Sequence, residues 1–486
     1  MPNEILSFIQ QDRVLGVVFG AAVGDALGAG YEFAEPPEPS AVAMRPGTLT
    51  GEPAGHWTDD TAMAIGVLRA AATHRSLDTP EAQTAVAQEF LDWYDSHPRD
   101  IGLHTRRVFA TGSSANSLAN GALIVQGHNP DAAGNGSLMR TGPVALCALG
   151  DDEQIARTAR AVSALTHAHP DAQDACVLWS IAIDRALRLG SLEGPRAGLA
   201  LLTPPQRVKW EAWIDEAERN DPDTFSPNGY VVSALQAAWS AIWATRNEAD
   251  HFGAGLRQAI AIGDDTDTVA AIAGALLGAR YGLTAIPFAW RQRLAGWPRD
   301  IQGIDLVSLA IRAARGDDSD GWPSVRSMAP AYQRFSPRGA TYQFAVDEGV
   351  IFGDFGALAL TSADAYLSLC RIGVDDRKGN HHHIVWLIDQ PGNADAARVL
   401  ADTADAIGEL REEGKTVFVH CVRAESRTPT VAMAWLVRRH GYEVEWAITE
   451  VLDTMSSAAP EKSLLQAVRR LVVDSKHPDS LEVDEE

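Results

Sequence analysis

Between residue 14 and about residue 314, apolar positions recur with a helical period. Val269, Ile272, Ala273, Leu276 and Leu277 fall at i, i+3, i+4, i+7 and i+8, one face of a helix. Val231, Leu235, Ala238, Trp239 and Ile242 repeat the spacing, as do Met63, Val67, Ala70 and Ala71. The apolar run Val14 to Gly24 is too short to span a bilayer, lacks a basic leader and runs straight into Asp25. It predicts a buried helix whose Gly16, Gly20 and Gly24 allow close packing. The pattern changes over Arg315 to Gly339, which is rich in Gly, Asp and Pro and reads as a linker with Trp322 and Tyr332 as packing points. Beyond it, Val350 to Phe352, Ile384 to Ile388 and Val417 to Val419 read as buried strands. Ala396, Val399, Leu400 and Thr403 share one helix face, and a further helix is expected over Thr430 to Arg439. The prediction is a multidomain chain: a large all-α domain over 10–314, a linker over 315–339, a smaller α/β domain over 340–475 and an acidic, frayed tail over 476–486.

Composition narrows the classes. By length alone, 486 residues suggest about three domains. Hydrophobic content of 46% with 22% charged residues is ordinary for a soluble enzyme, and a net charge of −23 disfavours nucleic acid or anionic membrane as general partners. Four cysteines (Cys147, Cys176, Cys370, Cys421) form no CxxC pair and no disulfide scaffold, which points to a reducing cytoplasm.

Two short acidic runs open apolar helices about 200 residues apart: Trp57-Thr58-Asp59-Asp60-Thr61 and Asp265-Thr266-Asp267-Thr268. Asp and Thr also favour helix starts as caps, and either run alone is explained that way. Together they supply the hard oxygen donors of a Mg²⁺- or Mn²⁺-type site, and carboxylates so close repel unless cations neutralise them. The two runs are therefore expected to meet over a divalent metal centre.

Around them lie Gly24-Asp25-Ala26-Leu27-Gly28, then Glu32, the Gly-flanked turn Gly134-Asn135-Gly136-Ser137-Leu138-Met139-Arg140 read as entering a helix, and Ser163-Ala164-Leu165-Thr166-His167. This ordered set, over roughly residues 10 to 314, resembles the ADP-ribosylglycohydrolase family. The resemblance implies an all-α fold with two divalent cations, Mg²⁺ or Mn²⁺, held by Thr58, Asp59, Asp60, Asp265, Asp267 and Thr268. It also makes Glu32 the candidate proton-transfer group, the alternative being an exposed loop acid. Asn135, Gly136 and Ser137 would bind diphosphate or ribose, or simply form a Gly-rich helix entry, and His167 would contact the nucleotide. Asp264 stands where the family more often has glycine, an extra acid that either changes metal affinity or points outward.

The second constellation is His420-Cys421-Val422-Arg423-Ala424-Glu425-Ser426-Arg427-Thr428, a strand, a Cys-x5-Arg loop and a helix start. Loop amides from Val422 to Ser426 and the helix N-terminus converge on a phosphate and favour a Cys421 thiolate. Arg427 would grip two phosphate oxygens, and Thr428 would hydrogen-bond the departing sulfur. Over roughly 340 to 475 this resembles the protein tyrosine and dual-specificity phosphatases, which need no cofactor and which place a general acid upstream, here Asp389. Ala424 replaces a common loop glycine, and Glu425 adds a negative charge that Arg423 is placed to offset. His381-His382-His383 alternate faces if they form a strand, so they cannot all ligate one ion, and a solvated turn beside the sheet is expected.

The expectation is a cytoplasmic hydrolase that acts on an ADP-ribosylated protein, nucleic acid or metabolite. It is joined to a phosphatase for a phosphorylated protein or small molecule. The alternative is that one of the two domains is an inactive binding module.

Overall fold

The computed structural model describes residues 6–471 apart from 75, 300, 302, 316–321, 380, 390, 392 and 394, so the acidic tail over 476–486 lies outside the described residues. The chain divides into two compact units, not three: residues up to 286 with 290–319, and residues 287–289 with everything from 320. No described helix is long and apolar enough to cross a membrane.

The first unit is helical. Its central helix α1 (Phe8–Gly28) starts at Ser7, whose hydroxyl accepts the Gln10 N–H while the Gln10 side chain returns to the Ser7 N–H. Helix α2 (Asp59–Thr73) follows a long loop, α3 (Asp152–Ala164) precedes His167, and α4 (Val231–Ala244) and α5 (Thr266–Tyr281) complete the elements that matter here. The helical faces read from the sequence are buried: Val231, Leu235, Ala238, Trp239 and Ile242 on α4, and Val269 to Leu277 on α5.

Helices α1 and α5 run antiparallel with their backbones in contact. A Cβ on Gly16, Gly20 or Gly24 would fall 2.1–2.2 Å from the carbonyl oxygens of Gly278, Gly274 and Ala270. Only glycine permits that approach. The antiparallel order brings the carboxy-terminal end of α1 to the amino-terminal end of α5, and a Cβ on Gly28 would fall 2.4 Å from the Asp267 Cα. The glycine spacing thus determines where the second acidic run is delivered.

The second unit is α/β. Five strands, β1 (Thr341–Phe344), β2 (Asp347–Asp354), β3 (Ala365–Ser368), β4 (His382–Ile384) and β5 (Val417–Cys421), form one sheet in the order β1-β2-β5-β3-β4. The β1–β2 pair is antiparallel and the other three pairs are parallel. β5 lies between β2 and β3 and is buried at every residue. Helices α6 (Ala396–Glu412) and α7 (Arg427–His440) supply Val399, Leu400, Ile407, Val431 and Trp435 to the core.

Two expectations change here. The strand expected over Ile384 to Ile388 ends at Ile384, because Leu387 N–H bonds back to the Val385 carbonyl instead of continuing the ladder. His382 and His383 belong to that strand, so the histidine run is not a solvated turn. The stretch after residue 321 packs onto this unit: Trp322 Nε1 donates to the Ile372 carbonyl, the Tyr332 hydroxyl donates to the Arg371 carbonyl, and both side chains are buried.

Candidate active sites

In the first unit the two acidic runs meet. Asp25, buried on α1, anchors the start of α2: its carboxylate accepts from the N–H and hydroxyl of Thr58 and from the N–H and hydroxyl of Thr61, at 2.6–2.9 Å. The Thr58 Oγ1 also lies 3.1 Å from Asp60 Oδ2 and 3.2 Å from Asp267 Oδ2, so residues 58 and 267 share one hydrogen-bonding centre. Asp265 is held from the other side, accepting from Asn135 Nδ2 at 2.7 Å, while Asn228 Oδ1 accepts the Asp265 N–H.

Among the described residues, oxygens of Asp25, Asp60 and Asp267 lie within 4.8 Å of one another, as do oxygens of Glu32, Asp100 and Asp267. Asp25 already accepts four hydrogen bonds, which makes it a brace of the site more than a free donor. Burial first, then mutual repulsion, raises the carboxyls of Asp59, Asp60 and Asp267 well above their usual range. Glu32 is pushed up to about 9 by burial and by Asp100, Asp265 and Asp59. Among the described residues, Asp60 Oδ1 and Asp100 Oδ2 are buried without a hydrogen-bond partner. Orphaned carboxylate oxygens in a crowded acidic pocket are what a pair of hard divalent cations would satisfy.

Glu32 is buried, not an exposed loop acid. Thr268 N–H caps Asp267 Oδ1, and the Thr268 hydroxyl lies 3.8 Å from the Met139 sulfur. The Asp264 carboxylate accepts from the Ser226 hydroxyl, and its φ of +58° lies in the left-handed region that favours glycine. The turn at 134–140 does not enter a helix directly. The next helix spans only Gly142–Leu146, so the helix-start argument for phosphate binding at Asn135, Gly136 and Ser137 falls away. The Ser137 hydroxyl is committed inward, accepting from Ser163 Oγ at 2.9 Å. His167 is buried, and a Cβ on Gly136 would sit 3.0–3.1 Å from its ring, so the glycine turn lies against the imidazole.

In the second unit Cys421 ends β5 and is buried at the mouth of the loop. Val422 carbonyl accepts the Phe355 N–H, Ala424 is buried at φ +54°, and the Ser426 hydroxyl accepts the Glu461 N–H. Glu425 is neutralised by Arg423 at 2.6 Å. Arg427 donates from Nη1 to the Leu369 carbonyl at 2.6 Å, and its Nε lies 3.5 Å from Asp389 Oδ2. Burial would lower the Arg427 pKa, but Cys421, Cys370 and Asp389 outweigh it and raise it. The loop Cys, Arg and candidate acid therefore come together. The Thr428 hydroxyl donates to the Gly353 carbonyl at 3.2 Å.

Sequence reasoning missed several participants. Asp100 follows a His-Pro-Arg stretch with no helix or motif to mark it, and Asn228 is a lone buried amide after a proline. Asp25 stood inside a quoted motif without an assigned role. Cys370 carried no spacing signal.

Residues 8–320 match the model of the ADP-ribosylglycohydrolase family, and residues 366–471 match that of the dual specificity phosphatase catalytic domain. The chain is 29% identical over 314 residues to the ADP-ribosylarginine hydrolase Tri1 of Pseudomonas putida, covering 64% of this chain and 81% of that one. It is 29% identical over 292 residues to the ADP-ribosyl-(dinitrogen reductase) glycohydrolase of Rhodospirillum rubrum, covering 58% and 90%. A solved structure of an ADP-ribosylglycohydrolase-related protein complex shares 30% identity at a TM-score of 0.49, covering 63% of this chain and 98% of that one.

Proposed function

The chain belongs to the ADP-ribosylglycohydrolase family, and from that premise we propose that its first unit is a divalent-metal-dependent hydrolase that releases ADP-ribose from ADP-ribosylated substrates. The supporting observation is the convergence of residues 58–60, 265–267, Glu32 and Asp100 on one buried acidic pocket with orphaned oxygens. Thr58, Asp59, Asp60, Asp265, Asp267 and Thr268 are the proposed metal-holding residues. Two Mg²⁺ or Mn²⁺ ions bound there would orient ribose hydroxyls and polarise water or the scissile bond. The remaining tasks fall to the chain. Glu32, buried in the pocket with Asp100 beside it, is the proposed group that gives a proton to the leaving group. The surrounding carboxylates favour the oxocarbenium-like transition state. Asn135 fixes Asp265, while Gly136 and His167 form the nucleotide side of the pocket.

For the second unit we propose a cysteine-dependent phosphatase that needs no metal. Cys421 attacks phosphorus, Arg427 steadies the transferring group, Asp389 delivers a proton to the departing oxygen, and water then cleaves the phosphocysteine.

A panel of ADP-ribosylated arginine, serine and nucleic-acid substrates, assayed for free ADP-ribose with Mn²⁺, Mg²⁺ or EDTA, tests the first assignment. Release that survives chelation, or survives Asp60→Asn with Asp267→Asn, rejects it. Turnover of an aryl phosphate tests the second: Cys421→Ser should abolish it, and Asp389→Asn should lower kcat by about a hundredfold or more. Vanadate binding without any turnover would instead make the loop a phosphate-binding module.

A further inference from the structure

The histidine run at 381–383 has no part in either site described above, yet His382 is tied into the sheet behind the cysteine loop. Its Nδ1 accepts the Lys378 backbone N–H at 2.9 Å, and its Nε2 lies 2.7 Å from Ser368 Oγ on β3. Ser368 Oγ is in turn 2.7 Å from His420 Nε2 on β5. His420 Nδ1 lies 4.0 Å from the Cys370 sulfur.

Only one bond in this chain has a direction fixed in advance. A backbone N–H always donates, so His382 Nδ1 carries a lone pair and the proton of the neutral ring sits on Nε2. Nε2–H therefore donates to Ser368. The Ser368 hydroxyl is fully buried, and among the described residues its partners are the two histidines; if both rings donated to it, its own proton would be orphaned. It donates to His420 Nε2, which leaves His420 protonated at Nδ1, the atom 4.0 Å from the Cys370 sulfur, and the same ring hydrogen-bonds the Cys421 backbone. Both rings are neutral at neutral pH. Burial pushes each down to about 3, and for His382 the neighbouring His420, His383, Arg377 and Lys378 add to the effect. Cys370, pushed up to about 12 by burial, stays a thiol and a weak acceptor.

We propose that His382 and Ser368 are positioning residues for the cysteine loop, locking His420 in its Nδ1–H tautomer so that the whole relay points its N–H and O–H dipoles inward. Their positive ends face the cluster of Cys370, Cys421 and Arg427, where a thiolate and a phosphate would gather negative charge. The His420 ring is held in place for this by stacking on Phe418 at 5.4 Å and by the edge of Phe355 at 5.9 Å. The inference rests on Cys421 being the nucleophile of the second unit.

Nitrogen-15 NMR of the histidine-labelled full chain tests it without any substitution. Between pH 6 and 8, His382 should be protonated at Nε2 only and His420 at Nδ1 only. A charged His420, or one protonated at Nε2, overturns the proposal. In Ser368→Ala and His382→Leu, loss of one buried partner should scramble the His420 tautomer and slow alkylation of Cys421 by iodoacetamide by about tenfold. His382→Gln can place an amide N–H where Nε2–H was, and it should restore most of the rate. Unchanged alkylation in all three variants also overturns the proposal. If the wild-type chain turns over no aryl phosphate, the phosphatase reading fails, while the tautomers and alkylation rates still decide the relay.

Discussion

Ala424 holds a left-handed backbone, φ +54°, within the Cys-x5-Arg loop, and it is fully buried there. A residue with a Cβ loses about 1–2 kcal/mol in that region, part of which glycine returns through the greater freedom of its unfolded chain. Ala424→Gly should therefore stabilise the second unit by about 0.5–1 kcal/mol in urea denaturation. A destabilised variant would mean that the alanine methyl contributes more packing than its backbone costs. The same position shows how residue-level chemistry is read from sequence. Cys421 and Arg427 are legible because five residues of a tight loop fix their spacing, and Asp59, Asp60, Asp265 and Asp267 are legible because each pair is local. Asp100 and Cys370 are not, since each reaches its site only through tertiary folding. The bond from the Thr428 hydroxyl to the Gly353 carbonyl is likewise tertiary and has no signal in the loop spacing.

At the scale of elements, the contact between α1 and α5 is the one on which the first site depends. A Cβ on Gly274 would lie 2.0 Å from the Gly20 carbonyl oxygen, a backbone atom that cannot rotate aside. Gly274→Ala must force the helices apart, at a cost of about 3 kcal/mol or more. Because Asp267 rides on α5 and Asp25 on α1, metal affinity should fall with stability. Calorimetry of Mn²⁺ binding checks this, and a variant with normal affinity would show that the acidic pocket does not depend on this packing. The helical period and the glycine spacing announced both helices. The sheet was less legible: β1 and β3 are four residues each, too short for an alternating pattern, and β3 is buried throughout. The histidine run likewise looked polar enough for a turn. Its pairing with β3, where Tyr366 opposes His382 and Ser368 opposes Ile384, is a nonlocal fact.

At the scale of the whole molecule, two units with separate cores should respond separately to the solution. In the first unit the crowded carboxyls have folded-state pKa values above their unfolded ones, with Asp25 at about 6 and Glu32 at about 9. For groups raised in this way, the stabilising contribution is present below the unfolded value, near 4, and is lost as pH climbs through the folded value. Without metal, the first unit should therefore lose stability steadily from pH 5 to pH 9. Divalent cations reverse the sign, because they bind the deprotonated acids and bind only the folded chain. Calorimetric scans in EDTA and in Mn²⁺ at a hundredfold excess over the pH 8 Kd should differ by about 2.7 kcal/mol, on the order of 5 °C, for each ion bound at pH 8 and by much less at the same Mn²⁺ concentration at pH 5. The shift should be confined to one transition, with the unit that carries Cys421 unmoved. A second transition that moves equally would mean the units unfold together, and a first transition indifferent to EDTA at pH 8 would remove the metal centre from the acidic pocket altogether.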